Sequence, residues 1–356
     1  MKHGGDLLSY QHLYDGELLD FSSNINPFGY PKALDEAFRS GIHALTAYPD
    51  IRYRRLRRAI SDYLACALNE VMVGNGSIDI LDYFCRRGKR VIVCVPCFIE
   101  YSERAQVYQT PVVSVPLPDD FVISADLFAP MIAPNDVLML GNPNNPTGRL
   151  IPQNELMRLQ QIAEERGAMI VLDEAFVEFC DAGYDSIRLF RDKSNICVIR
   201  AATKFFGLPG VRLGYGWATP EIVRKFEQQA LPWRINALAD LAGQVIFRDT
   251  DYIERTKAYM RQERQFVFSE LSQIPGMRVF PTDTNFLLIR LLTTTEQTIF
   301  DWCIRRGLVI RKASTFEGLD ERFIRVAIKD HVSNLRLIQA FNDWACQHPA
   351  AAMPTK

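Results

Sequence analysis

The sequence has little of what marks a membrane, secreted or nucleic-acid-binding protein. No apolar run reaches the roughly 20 residues of a membrane-spanning helix, so no helical span is expected. Neither sign of charge is in excess: 41 Lys and Arg stand against 42 Asp and Glu, a formal net charge of -1. A chain this near neutrality has no overall field to gather a polyanion, and no nucleic-acid partner is expected. The opening stretch, MKHGGDLLSYQHLYDG, lacks the continuous apolar segment of a signal peptide, so a cytoplasmic protein is expected. The eight cysteines are scattered, mostly among apolar neighbours, and read as small core residues. One C-x-x-C, Cys94 and Cys97, has no second pair and holds Pro96 inside it, so no metal site is expected. Internal repeats and low-complexity segments are also missing.

What is present is a regular alternation. With 356 residues and 48% hydrophobic composition there is room for one large α/β unit and a smaller one. Short apolar runs at 89–95, 110–117, 135–140, 168–173, 195–200 and 211–218 read as strands. Helix-like stretches at 98–108 and 152–167 separate some of them. That spacing predicts a mostly parallel sheet with helices on both faces. From about residue 236 the pattern changes to two helical stretches, 236–248 and 251–273. Strand-like runs follow at 277–281, 284–291, 308–312 and 323–328. This predicts a large domain over 31–235 and a smaller α+β domain over 236–356.

In such sheets ligands sit beyond the carboxyl ends of the strands, so residues that just follow strands carry the functional information. In VGNGSIDIL (73–81), Gly74 and Gly76 allow a tight turn and Ser77 is expected to cap the next helix. Helix-start amides with a hydroxyl make a phosphate cup. With no third glycine, the string is not the dinucleotide fingerprint; its plainer reading is an ordinary capped turn. GNPNNPTG (141–148) can point the amides of Asn144 and Asn145 inward, or be a surface turn. Asp173 ends an apolar strand, either as counter-ion to a buried cation or as a helix cap. Lys204 sits in the apolar run RAATKFFG, where a buried ammonium is costly unless its pKa falls. Alone it reads as a snorkelling surface lysine. Arg212, flanked by Gly210 and Gly214, can approach an anion closely. Taken together, a lysine amine, an acid, a phosphate cup and an arginine are the set a pyridoxal phosphate enzyme needs.

The ordered strings GNGS, NPNNPTG, LDEAF, TKFFGLPGVRLGY and RVAI resemble the fold-type I aminotransferase superfamily (class I/II), in the branch of the histidinol-phosphate aminotransferases. The resemblance covers nearly the whole chain. HGG (3–5), LDFSSNINPFG (19–29) and ALPWRINALADLAG (230–243) further resemble the threonine-phosphate decarboxylases. The resemblance implies pyridoxal 5'-phosphate as cofactor and a segment over 1–30 that folds across the site as an arm. It implies that Lys204 is the Schiff-base lysine and Asp173 the partner of the pyridinium nitrogen. Asn145 would donate to the ring O3′, and Phe98 would stack on the ring. Gly76, Ser77, Thr203 and Arg212 would hold the phosphate. Arg325, in FIRVAI, matches the arginine for a substrate carboxylate, and Tyr48 matches a tyrosine donated across a homodimer with shared sites. His3 and Asn24 would belong to the arm, and Arg311 would meet a second anion. A carboxylate and a phosphate on one substrate suit two arginines and a histidine.

Two positions depart from the family pattern. Phe176 replaces a tyrosine that many aminotransferases bond to O3′, and Ala201 replaces a Ser or Thr that bonds the phosphate. The expected reaction is decarboxylation of L-threonine O-3-phosphate to (R)-1-aminopropan-2-ol phosphate, a corrinoid-type side-chain precursor. L-serine phosphate is a rival, since one methyl gives only about 1–3 kcal/mol of discrimination. Transamination of the histidinol-phosphate type is the alternative. A non-catalytic cofactor-binding regulator is disfavoured, because only about 30 residues precede the first core helix, too few for a separate DNA-binding domain.

Overall fold

The structure is a computed structural model that describes residues 3–181 and 183–349. In its first half, strands β1 (Leu19–Asp20), β2 (Val71–Asn75), β3 (Val91–Val95), β4 (Val112–Pro116) and β5 (Val137–Gly141) alternate with helices α1 (Ala33–Gly41), α2 (Arg54–Leu64), α3 (Ser77–Cys85), α4 (Glu100–Val107) and the short α5 (Ala125–Phe128). Helix α6 (Gln153–Glu165), β6 (Met169–Asp173), α7 (Ser186–Leu189), β7 (Ile196–Ala201), β8 (Leu213–Trp217), α8 (Pro220–Gln229) and α9 (Ala237–Ile246) follow. The last part holds α10 (Thr250–Ser272), β9 (Met277–Val279), β10 (Phe286–Leu291), α11 (Glu296–Ile304), β11 (Leu308–Val309), β12 (Arg311–Lys312), β13 (Phe323–Ala327) and α12 (His331–Gln347).

Seven strands form the main sheet in the order β2-β8-β7-β6-β5-β3-β4. All pairs are parallel except those of β8, which runs antiparallel to both β2 and β7. Strands β3 and β5 are buried at every residue, as helix-covered parallel strands must be, and their sequences VIVCV and VLMLG show no polar alternation. Helix α2 turns Leu56, Ala59, Ile60 and Leu64 inward, while Arg54 pairs with Asp50 and Arg57 with Glu227. Helix α9 packs on α1 and α2.

A separate antiparallel sheet, β12-β13-β10-β9, makes the smaller layer. The expected single strand 308–312 is split. β11 pairs in parallel with β1, whereas β12 pairs with β13, so the chain changes partner at Ile310. The partner strand β1 has only two residues, too short for its own sequence pattern. Through it, the segment before Asn26 is tied to the smaller layer, and the Asn26 amide then donates to the Lys204 carbonyl at 3.0 Å.

One glycine is needed for the two outer strands to meet at the site. A Cβ on Gly214 would lie 2.2 Å from the Gly76 carbonyl carbon and 2.3 Å from the Ser77 nitrogen. Gly210, a few residues earlier, has open space around it. Gly214→Ala is expected to lower stability by about 1–3 kcal/mol through overpacking against backbone, with Gly210→Ala near neutral. Urea denaturation checks this, and equal midpoints for the two variants would contradict the close-approach argument.

Candidate active site

The sheet order brings the strand-end residues to one edge. Asn145 follows β5, Asp173 ends β6, and Lys204 lies just beyond β7. Phe98 follows β3 in the same way. Strand β2 runs antiparallel to β8, and β8 antiparallel to β7, so β2 delivers Gly76 and Ser77 to that same edge. Because β8 is reversed, it enters from this edge, and Arg212 immediately precedes it.

One cavity collects these groups. Ser77, Phe98, Asn145, Asp173, Thr203, Lys204 and Arg212 line it, and so do His3, Asn24, Arg311 and Arg325. Gly76 lies directly behind the lining: with φ at +78°, a Cβ there would fall 2.5 Å from Arg212 Nη2. A side chain at 76 would therefore displace the guanidinium. Arg212 itself has φ at +62°, a left-handed conformation that a non-glycine residue adopts only under local constraint. Tyr48 is elsewhere, 79% exposed and packed on Trp233 with ring centroids 4.6 Å apart. Ser77 is the first helical residue rather than the cap. Gly76 occupies the cap position and no side chain caps the helix, which leaves the Ser77 hydroxyl available to the cavity.

Lys204 is enclosed by protein, and what area it exposes faces the cavity. Burial lowers its pKa to about 8, helped by the positive charge of Arg325. Its amine stands 5.9 Å from the Phe176 ring centroid. Asp173 shifts the other way: burial raises its carboxyl to about 6, against a hydrogen bond from the Tyr101 hydroxyl at 2.9 Å and another from the Ala175 amide at 3.0 Å. The bond from the Ala175 amide is a local turn and not a helix cap: the next helical turn, Val177–Phe179, has Phe176 at its cap position and no side chain capping it. Asn145 accepts from Arg325 through its Oδ1, which leaves its amide NH2 group for the cavity. Arg325 is buried and donates its other terminal nitrogen to the Ser22 carbonyl at 2.6 Å. Arg311 is buried as well and donates to Thr315 Oγ1 at 2.7 Å. Both guanidinium groups lie over the Phe316 ring, at 5.3 Å and 5.9 Å. His3 sits at the rim, with Nε2 3.0 Å from Glu100 and its ring edge-on to Phe98.

Three contributors escaped the sequence reading. Tyr101 lies three residues after Phe98, its amide on the Phe98 carbonyl and the two rings edge-on at 5.6 Å, and that spacing was the available signal. Ser22 and Asp20 act through a turn whose role depends on Arg325, some 300 residues away, and no local pattern announces it. Among the described residues no group of His, Cys, Asp and Glu could hold a metal, and no helix is long and apolar enough to cross a membrane.

This fold and this cavity define a class. The family model of aminotransferase class I and II matches residues 16–341, and the chain belongs to that family. It is 38% identical over 353 residues to a protein of Caldanaerobacter subterraneus subsp. tengcongensis provisionally named threonine-phosphate decarboxylase, covering 96% of this chain and 95% of that one. It is 30% identical to the threonine-phosphate decarboxylase of Salmonella typhimurium, covering 96% of each. Among solved structures, the histidinol-phosphate aminotransferase from Clostridium acetobutylicum superposes with a TM-score of 0.89 at 35% identity, over 93% of this chain and 100% of that one.

Pyridoxal 5'-phosphate is the cofactor. The cavity fits it on its own chemistry: a buried amine of lowered pKa, a buried carboxyl, and the start of α3 beside Arg212 for a phosphate. Two buried polar atoms on the cavity residues, Asn24 Oδ1 and Arg325 Nε, have no partner among the described residues.

The lysine carries a stability cost in the cofactor-free protein. Its folded pKa lies below its unfolded one, so the cost is full below pH 8 and fades as pH rises toward 10.5. Lys204→Met is therefore expected to stabilise the cofactor-free chain at pH 7 by about 1–3 kcal/mol, while activity is lost. Urea denaturation of both proteins at pH 7 and near pH 10.5 checks this. A gain that is absent, or equal at both pH values, would contradict it.

Proposed function

We propose that this enzyme decarboxylates an O-phospho-amino acid, L-threonine O-3-phosphate in the first place, to (R)-1-aminopropan-2-ol phosphate and carbon dioxide. The observation that carries this reading is the pair of buried arginines, Arg311 and Arg325, with His3 at the rim of the same cavity. Two separated cations suit a substrate with two anionic groups. The names of the relatives from Caldanaerobacter and Salmonella support the same substrate class.

Bound pyridoxal phosphate supplies an electron sink for the pair left at Cα when one of its bonds breaks. The chain's own residues do the rest. Ser77, Thr203 and Arg212 hold the cofactor phosphate, assisted by the close approach of Gly76. Asp173 holds a proton at the ring nitrogen, with Tyr101 fixing its carboxylate. Phe98 packs on the ring, and the Asn145 amide donates to O3′. Arg325 binds the substrate carboxylate, while Arg311, His3 and Asn24 receive the phosphate. Fixing two substituents of Cα decides which bond stands perpendicular to the ring, and only that bond breaks. After carbon dioxide leaves, the Lys204 amine delivers a proton to Cα. A pKa near 8 suits it to give and take protons near neutrality. The apolar Phe176 and Ala201 withhold two hydroxyls from the ring and the phosphate.

The enzyme acts as a homodimer in this reading, with Tyr48 reaching the partner's cofactor phosphate. Tyr48 packs on Trp233, which shares one hollow with the exposed Ile51 and Leu231, an apolar area that a second copy would cover. Transamination is the second reading, favoured by the 35% identity to the histidinol-phosphate aminotransferase structure.

The test is a product assay. The protein is incubated with pyridoxal phosphate and L-threonine phosphate, without a keto acid. The expected result is carbon dioxide and aminopropanol phosphate in equal amounts, both lost in Lys204→Ala. Turnover that appears only with a keto acid, and without carbon dioxide, would move the enzyme to the aminotransferases.

A further inference from the structure

The turn between β1 and the cavity has an unusual concentration of hydrogen bonds on one carboxylate. Asp20 Oδ1 accepts from the Ser22 amide at 2.8 Å, the Ser22 hydroxyl at 2.6 Å and the Ser23 amide at 3.2 Å. Its Oδ2 accepts from the Ser23 hydroxyl. All four donors come from the two serines that follow within three residues, so the carboxylate folds the chain tightly around itself.

Ser22 then faces two ways. Its carbonyl accepts from Arg325 Nη2 at 2.6 Å. Its hydroxyl accepts from the Gly5 amide at 2.9 Å. Gly4 sits so close that a Cβ there would lie 2.0 Å from the Ser22 carbonyl oxygen. The Gly4–Gly5 segment is therefore seated directly on the group that orients the guanidinium. One residue earlier, His3 reaches Glu100 across the mouth of the cavity.

We propose that Asp20 is a positioning residue for substrate: by folding the 20–23 turn, it fixes Arg325 on one side and the Gly4–Gly5 segment on the other. Carboxylate binding and closure of the amino-terminal segment are thereby set by one group. The proposal rests on the functional reading only in giving Arg325 the substrate carboxylate. Charge works in the same direction, since Lys204, Arg325 and Lys329 each feel the negative charge of Asp20 against the cost of their burial.

Two variants of the holoenzyme test this. Asp20→Ala removes every acceptor of the turn. It is expected to speed hydrogen exchange of the segment 3–10 by about fivefold or more, and to raise KM for L-threonine phosphate about tenfold while kcat changes less than about threefold. Cofactor absorbance stays as in the parent. Asp20→Asn keeps an oxygen for the Ser22 and Ser23 amides, and the Ser23 hydroxyl can turn to accept from the new NH2 group. This variant is expected to restore slow exchange and most of the lost KM, which a general loss of stability would not do. If Asp20→Ala does not fold, Ser22→Ala removes the acceptor of the Gly5 amide and one of the four donors to Asp20 while leaving the other three, and faster exchange of segment 3–10 is again expected.

Exchange at the parent rate in Asp20→Ala, or in Ser22→Ala if that is the variant available, would overturn the proposal. So would a loss confined to kcat in Asp20→Ala. Exchange needs no turnover, so it decides on Asp20 even if the parent enzyme does not decarboxylate L-threonine phosphate; that outcome would overturn the functional reading alone.

Discussion

The cost of burying positive charge around one cavity is the constraint on which the rest of this structure depends. Lys204, Arg311 and Arg325 share one cavity, and each has a pKa lowered first of all by burial. For Arg325 the fall is to about 9, with the charge of Arg311 adding to the effect. Arg325 is held by two neutral acceptors, the Asn145 amide oxygen and the Ser22 carbonyl. Such bonds fix orientation but leave the charge in place. In the proposed function the anions of cofactor and substrate would offset that charge, which is the physical sense in which the cavity is a site rather than a core.

The scaffold tolerates this because its own needs are met elsewhere. The central strands are apolar but for Asp173 and Arg200, and their helices close both faces around the main core. Arg212 is held in a left-handed conformation and Gly214 against backbone, because strands β2 and β8 are locked by their ladder. At the cavity floor the opposite electrostatic problem is solved more fully. Asp173 loses solvation, but it gains the Tyr101 hydroxyl and the Ala175 amide. A carboxyl raised to about 6 by burial would be held more firmly ionised by a cationic nitrogen beside it.

Much of this was legible in the sequence, for a physical reason. Parallel strands buried on both faces are written as apolar runs, and the chemistry sits in the few polar residues that end them. Asp173, Asn145 and Lys204 stand out as residues at or just beyond strand ends, each with a plainer reading when taken alone, and their shared cavity follows from the strand order. What was not legible depends on pairing between distant parts of the chain. The run 308–312 looked like one strand because nothing local shows that it serves two partners. Ser77 looked like a helix cap, but Gly76, at φ +78° and with its amide on the Arg212 carbonyl, takes the cap position, and that bond joins distant parts of the chain. Asp20 and Ser22 lie in LDFSSNINPFG, where nothing local marks them, and their connection to Arg325 exists only in the folded chain.

The central claim is that the cavity is completed by a substrate with two anionic groups. It is tested most directly by calorimetry on the Lys204→Ala protein loaded with pyridoxal phosphate, titrated with L-threonine phosphate and with L-threonine. Charge-assisted bonds to a phosphate are worth about 1.5–3 kcal/mol each, so the account predicts that the phosphorylated ligand binds at least about tenfold more tightly. Equal affinity for the two ligands would contradict it.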